Sequence, residues 1–273
     1  QGIMGGYFSA HQGFDKDISL AISEQYLPVG LETKVPKKPF SLVLSITDKI
    51  DTLVGFFGIN EKPSSSKDPF GLRRIALSII RIIIENKKDL KLSDYLNYSS
   101  KLYFDQGFSF SSKELQKELN NFLRERFRYY LKEKQIRFDI IDATISSFSL
   151  NKIFSLFEKA KCLNKHINDE IGLNLISTYK RASNIIDNEM KNNELEINSI
   201  PDQGLFKNDY EKKLFKKISE MQKYFSKIDD DEIYDVSLKV LAESKKEVFD
   251  FLDNVKVNEE NEILKKKQIK TCF

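Results

Sequence analysis

Tryptophan is absent from this 273-residue chain, cysteine and histidine occur twice each, and no one sign of charge dominates: 44 Lys and Arg face 41 Asp and Glu, a formal net charge of +3. Each shortage excludes something. Cys162 and Cys272 lie far apart with no metal-ligand spacing, so there is no disulfide framework, and reduced thiols in a cytoplasmic protein are expected. Balanced charge removes any whole-chain argument for a polyanionic partner, so a nucleic-acid surface has to be local. The longest apolar stretches, such as Leu77 to Ile84, are broken by Arg81 and are too short to span a bilayer, which argues against a membrane partner. The N-terminus lacks the basic start and apolar run of a signal peptide. It opens at Gln1 without an initiator methionine, as a fragment or processed product would. His11 and His166 have no recognisable ligand or triad surroundings, so neither a catalytic residue nor a metal site is expected. Ser64-Ser65-Ser66-Lys67 lacks the paired glycines of a phosphate loop.

What is present is enough apolar content to fold: 40% hydrophobic residues against 31% charged, at a length that suits two helical domains in series. The dominant period is helical. Ile18, Ala21, Ile22 and Tyr26 share a face in a segment from about Asp15 that Pro28 and Gly30 end. Phe40 to Phe57 reads as a buried helix, with Asp48 and Asp51 one turn apart. Asp68-Pro69 reads as a helix start, carboxylate on free amides and proline at the first helical position, ahead of Leu72, Ile75, Ala76, Ile79, Ile80 and Ile83. Leu115, Leu119, Leu123, Phe127 and Tyr130 mark a long helix ending near Lys134, and further helices are predicted around 138–148, 150–161, 170–190, 208–228 and 231–253. The stretch from Asn192 to Gly204 reads as a linker. With no alternating strand series and no internal repeat, the class is all-α.

Three basic clusters are candidate phosphate contacts, since guanidinium groups fork onto phosphate oxygens. Arg73, Arg74 and Arg81 fall opposite the apolar stripe of their helix. Arg124, Arg126, Arg128, Lys132, Lys134 and Arg137 interleave with Phe127, Tyr129 and Tyr130, of which only Tyr129 is off the core stripe and able to stack on a base. Lys180, Arg181 and Asn184 lie within about one helical turn, with Leu175, Tyr179, Ala182 and Ile186 on the buried side. Every cluster is also what an ordinary solvated helix face looks like. Asp48 and Asp51 suit a cap or buried network better than a metal or acid-base pair.

The run Asp48-Lys49-Ile50-Asp51-Thr52-Leu53-Val54-Gly55-Phe56-Phe57-Gly58-Ile59, continuing through Lys67-Asp68-Pro69-Phe70-Gly71-Leu72-Arg73-Arg74-Ile75-Ala76-Leu77, resembles the signature of the β subunits of heterotetrameric bacterial glycyl-tRNA synthetases. Gln1-Gly2-Ile3-Met4-Gly5, Glu24-Gln25-Tyr26-Leu27-Pro28, Lys180-Arg181-Ala182-Ser183-Asn184-Ile185 and Phe251-Leu252-Asp253-Asn254-Val255-Lys256-Val257 resemble the same family in the same order. The family carries histidine where Gln25 stands and glycine within the Pro63-Ser64-Ser65-Ser66 loop, and its C-terminal pattern is lost from Lys265 to Phe273.

The resemblance implies an α2β2 enzyme that joins glycine to its tRNA with ATP as substrate, the activation chemistry residing on the α subunit and the β subunit holding tRNA(Gly). It implies a helical HD-type domain ending in residues 1–100, a helical connector over 101–164 and a DALR-like anticodon-binding domain over 165–273, shortened at its C-terminus. Motif position together with charge nominates Lys180, Arg181, Asn184, Arg73, Arg74 and Arg128 as tRNA contacts. The rival readings are a purely structural module bracing the α subunit and an HD-type phosphohydrolase, the latter needing a metal motif that these residues do not show.

Overall fold

The computed structural model describes residues 2–30, 32–192, 204, 206, 208–227 and 234–255. Regular structure among them is helical throughout: α1 (Ile3–His11), α2 (Lys16–Glu24), α3 (Pro39–Gly58), α4 (Leu72–Glu85), α5 (Leu92–Asp105), α6 (Ser112–Glu133), α7 (Phe138–Ser146), α8 (Ile153–His166), α9 (Glu170–Asn192), α10 (Asp209–Phe225), α11 (Tyr234–Ala242) and α12 (Lys245–Asn254). They form two compact units, Gln1–Lys161 and Cys162–Phe273. The linker expected over 193–203, the start of the helix expected at 231, and the departing tail with Cys272 lie outside the described residues.

In the first unit α3 is the hub, touching α2, α4, α5 and α6. Pro39 sits in its first turn, where a missing N–H costs nothing, and Ile46, Ile50, Leu53, Val54 and Phe57 are buried. α4 is buried almost all round, Ile79, Ile80, Ile82 and Ile83 among the least exposed side chains of the chain, each contributing roughly 1.5–3 kcal/mol of transfer free energy. Residues 101–161, read from sequence as a connector, cluster with residues 1–100 in this unit.

The structure departs from the sequence expectations in specific places. α4 begins at Leu72, after Gly71 in the left-handed conformation (φ 66°), so Pro69 lies before the helix rather than at its first position. Asp68 still caps it, its two carboxylate oxygens accepting from the amides of Leu72 (2.8 Å) and Arg73 (3.0 Å). Arg81, expected on the outer face, is buried. Its guanidinium donates to the carbonyls of Gly30 (2.5 Å) and Thr33 (2.8 Å) and to Glu85 (2.8 Å), tying the turn to the helix.

Two helices were not legible at all. α1 reads as a glycine-rich start because its glycines serve packing: a Cβ at Gly5 would sit 2.8 Å from the Ile22 side chain and one at Gly6 2.7 Å from Ser23 Cβ, so only glycine lets α1 close on α2. The result inverts the usual pattern, with Gly6 and Ser9 buried and Ile3, Met4, Tyr7 and Phe8 exposed. α2 likewise buries Ser19 and Ala21 while Ile18 and Tyr26 stay largely exposed. α5 reads as a polar stretch because only Leu92, Leu96, Ser99 and Ser100 are buried along its inner side.

α6 follows its stripe, Leu115, Leu119, Leu123, Phe127 and Tyr130 all buried, and Ser111 Oγ caps it by accepting from the Glu114 amide. The start of α8 is capped from far away: Asp89 accepts from the amides of Phe154 (2.7 Å) and Ser155 (3.1 Å).

In the second unit α9 packs on α11 and α12, and α10 on α12. Leu214, Phe251 and Val255 form the core, flanked by Ile218, Val248 and Leu252. Asn208 and Glu211 form a reciprocal capping box at the head of α10. The single helix expected over 231–253 is two, because Ser244 turns back: its amide and hydroxyl both donate to the Leu241 carbonyl, ending α11 before α12 begins. Gly172 sits where α9 presses on the end of α8; a Cβ there would lie 2.0 Å from the His166 carbonyl oxygen.

Candidate nucleic-acid interface

Within α9, Lys180 and Asn184 are four residues apart and both exposed, so an ammonium and an amide stand one turn from each other on one face. Neither makes an ion pair or side-chain hydrogen bond among the described residues. Arg181, read from sequence with them, is differently placed. It pairs with Asp253 on α12, and its guanidinium carbon lies 4.6 Å from the centroid of Phe249, a ring that Lys245 Nζ also approaches at 5.5 Å. The pairing and the cation–π contact tie α9 to α12. Tyr179, read as buried, is 70% exposed, because α11 and α12 cover α9 on the side that holds the buried Thr178.

In the first unit Arg74 is exposed and makes no ion pair among the described residues. It borders a notch of about 280 Å³ with Val29, Gly30, Ser78 and Arg81. Arg73 turns back instead, its guanidinium bonding the carbonyls of Ser64 and Lys67 and so closing the loop ahead of α4. Arg128 is paired with Asp142 on α7 at 2.5 Å. The rest of the α6 cluster has neighbours at home: Arg124 lies 3.8 Å from Glu125, Arg126 5.9 Å from the Phe122 ring, Lys132 5.9 Å from Phe138, Lys134 5.3 Å from Tyr130, and Arg137 pairs with Asp139. Tyr129 remains the partly exposed aromatic of that helix.

The acidic pair on α3 is a structural network. Asp51 accepts from Tyr103 Oη (3.2 Å) and Ser99 Oγ (3.4 Å) on α5. Between the two carboxylates in sequence is Lys49, a buried lysine that the apolar run concealed. Its ammonium donates to the carbonyls of Gln25 (3.1 Å) and Ser45 (3.4 Å) and to Ser45 Oγ (2.8 Å), holding the end of α2 against α3. Burial lowers its pKa to about 8, opposed by the charge of Asp48, whose own pKa burial raises.

Two further features had no sequence signal. An apolar groove of about 390 Å³ lies between α3 and α5, lined by Leu42, Val43, Ile46, Tyr95, Tyr98 and Leu102. At the foot of α8, Cys162, His166 and Asp235 converge with ligand-type atoms within 4.8 Å of one another. Cys162 and His166 are one turn apart in sequence, but Asp235 arrives from α11, and its approach could not be read. Hydrogen bonds from Lys165, His166 and Lys239 occupy Asp235 and hold its carboxyl well below the usual range. No helix among the described residues is long and apolar enough to cross a membrane.

Comparison with known proteins adds to this geometry. A family model described as glycyl-tRNA synthetase beta subunit matches residues 1–146, and one described as DALR anticodon binding domain matches residues 175–272. The chain is similar to glycine–tRNA ligase beta subunits of Rickettsia canadensis (strain McKiel), 38% identical over 95% of this chain and 37% of that protein, and of Rickettsia africae (strain ESF-5), 36% identical over 95% and 36%. The corresponding protein of Dinoroseobacter shibae is 30% identical over 98% of this chain and 41% of its own length. The chain thus spans a little over a third of the length of the curated relatives it matches.

Proposed function

Because this chain belongs to the glycyl-tRNA synthetase beta subunit family, we propose that it is a tRNA-holding part of a glycine–tRNA ligase, with glycine activation by ATP carried out on an α subunit in an α2β2 assembly in the cytoplasm. The observation that carries the reading is the placement of Lys180 and Asn184, exposed and unengaged among the described residues, on α9 inside the segment that matches an anticodon-binding domain. An ammonium supplies phosphate attraction, and an amide one turn away can bond a base edge, the combination that single-stranded RNA loops require.

In this reading residues 1–100 close an HD-type helical domain, 101–164 connect, and 165–273 hold the anticodon arm. Lys180, Asn184 and Arg74 contact tRNA without rearrangement. Arg181, Arg73 and Arg128 contribute only by exchanging Asp253, loop carbonyls and Asp142 for phosphate. Filter binding of glycine tRNA against an unrelated tRNA, with and without α subunit, tests it: selective, salt-sensitive retention is expected, and equal retention of both RNAs under all conditions would refute it.

A second reading, that the first unit mainly braces another subunit, is favoured by its apolar surface: the outward Ile3, Met4, Tyr7 and Phe8 of α1 and the α3–α5 groove. The two roles are compatible, since Lys180 and Asn184 belong to the other unit and Arg74 lies outside both α1 and the groove.

A further inference from the structure

α8 ends on His166, whose side chain is only 7% exposed. Both ring nitrogens face carboxylate oxygens: Nδ1 lies 2.5 Å from Asp169 Oδ2, and Nε2 lies 2.7 Å from Asp235 Oδ1. An ionised carboxylate only accepts, and a neutral imidazole has a single N–H. A neutral ring would therefore set a nitrogen lone pair against one of the two anions, whereas a doubly protonated ring gives two charge-assisted hydrogen bonds. The last turn of a helix, where His166 stands, also favours a cation.

The surroundings are accounted for by charge. Asp169 additionally accepts from the Gly172 amide at 3.0 Å, fixing it at the first turn of α9. Asp235 also receives Lys165 at 2.8 Å and Lys239 at 3.0 Å. Cys162, half-buried, is a further titratable neighbour. Two carboxylates thus face two ammonium groups and one imidazole, and among the described residues the imidazole is the cation hydrogen-bonded to both acids, Lys165 reaching Asp169 only through its charge.

We propose that His166 is a protonated clasp that fastens the α8–α9 corner to α11, closed while the ring carries both protons and released when it loses one. The hydrogen bonds it donates to Asp235 and Asp169 raise its pKa above the ordinary 6.5. The folded state therefore holds the proton more tightly than the unfolded chain. The clasp's contribution is complete below pH 6.5 and is lost as pH rises through the folded-state pKa.

The chain contains only His11 and His166, so selective 15N-histidine labelling of the 273-residue chain gives two ring systems, and His166→Gln assigns them. The expected result is an imidazolium signature for His166 at neutral pH, titrating above the ordinary histidine value. The melting temperature should fall from pH 6.5 to 9, with that fall diminished in His166→Gln. Asp235→Asn, which keeps an acceptor but removes the charge, should lower the His166 titration midpoint by roughly one pH unit and serves if His166→Gln does not fold. A neutral His166 ring at pH 7, or a midpoint unmoved by Asp235→Asn, would overturn the proposal. So would a His166 signal shifted by one equivalent of Zn2+ in the wild type but not in Cys162→Ser, which would make the trio a metal-ligand set instead.

Discussion

Arg181 on α9 is bound to Asp253 on α12, seventy-two residues further along the chain, while its sequence neighbour Lys180 is exposed and has no ion-pair partner among the described residues. Two adjacent cations that look equivalent in sequence are thus given different work by the fold. Lys180→Ala should weaken tRNA binding and reduce the slope of log affinity against log salt by about one, with melting unchanged. Arg181→Ala should lower the stability of the second unit by about 1 kcal/mol, since the partly exposed ion pair and its cation–π contact are individually weak. Fluorescence anisotropy over a KCl series and calorimetric melting separate the two, and an Arg181→Ala variant with unchanged melting but a reduced salt slope would reverse the assignment.

Two glycines make an opposed pair. A Cβ at Gly172 would lie 2.0 Å from a backbone oxygen, whereas one at Gly30 would meet nothing within 4 Å. Gly172→Ala is expected to cost on the order of 3 kcal/mol, because backbone cannot swing aside as a flexible side chain can. Gly30→Ala should be neutral or stabilising by about 0.5 kcal/mol through the unfolded chain. Urea unfolding of both variants checks the contrast.

Lys49 gives the first unit an alkaline signature. Its pKa is lowered from 10.5 to about 8 by burial, so between those values the unfolded chain holds more protons than the folded one. Stability from this group therefore increases with pH across that window, at up to about 1.4 kcal/mol per pH unit. Urea midpoints measured from pH 8 to 10.5 should show the term in the wild type and lose it in Lys49→Met. An identical pH slope in the two proteins would exclude it.

Arg81 is a clamp on the turn before α3, and its removal takes from the Thr33 carbonyl its guanidinium donor and leaves the Gly30 carbonyl with only the hydroxyl and amide of Thr33. Arg81→Met is expected to destabilise by about 2–4 kcal/mol and to speed proteolysis near residue 30, while Arg81→Lys, lacking the planar fork, recovers only part of the loss. If Arg81→Met melts as the wild type does, the clamp contributes nothing.

The motifs around Asp48 to Leu77 and Lys180 to Ile185 carried family membership in the sequence itself, and the regular apolar periods carried α3, α4 and α6. α1 escaped because its glycines are chosen for contact with α2, which has no local period. α5 escaped because much of its inner side is serine. Among the proposed tRNA contacts, residue type and spacing nominated Lys180, Arg181, Asn184, Arg73, Arg74 and Arg128 alike. Which of them are already engaged depended on Asp253, Asp142 and the Ser64–Lys67 loop.

The residue pattern by itself determined an all-helical chain and its family, because helical periodicity and motif order are properties of near neighbours. Only the tertiary structure decided that Arg81 and Lys49 are buried, that Tyr179 is exposed, and that Asp169 and Asp235 meet on opposite nitrogens of His166. Apart from the local approach of Asp169, those outcomes follow from partners some 20 to 70 residues away or from which face a neighbouring helix happens to cover. A side chain's burial and protonation answer to the field and space around it, and these exist only once the helices have been brought together.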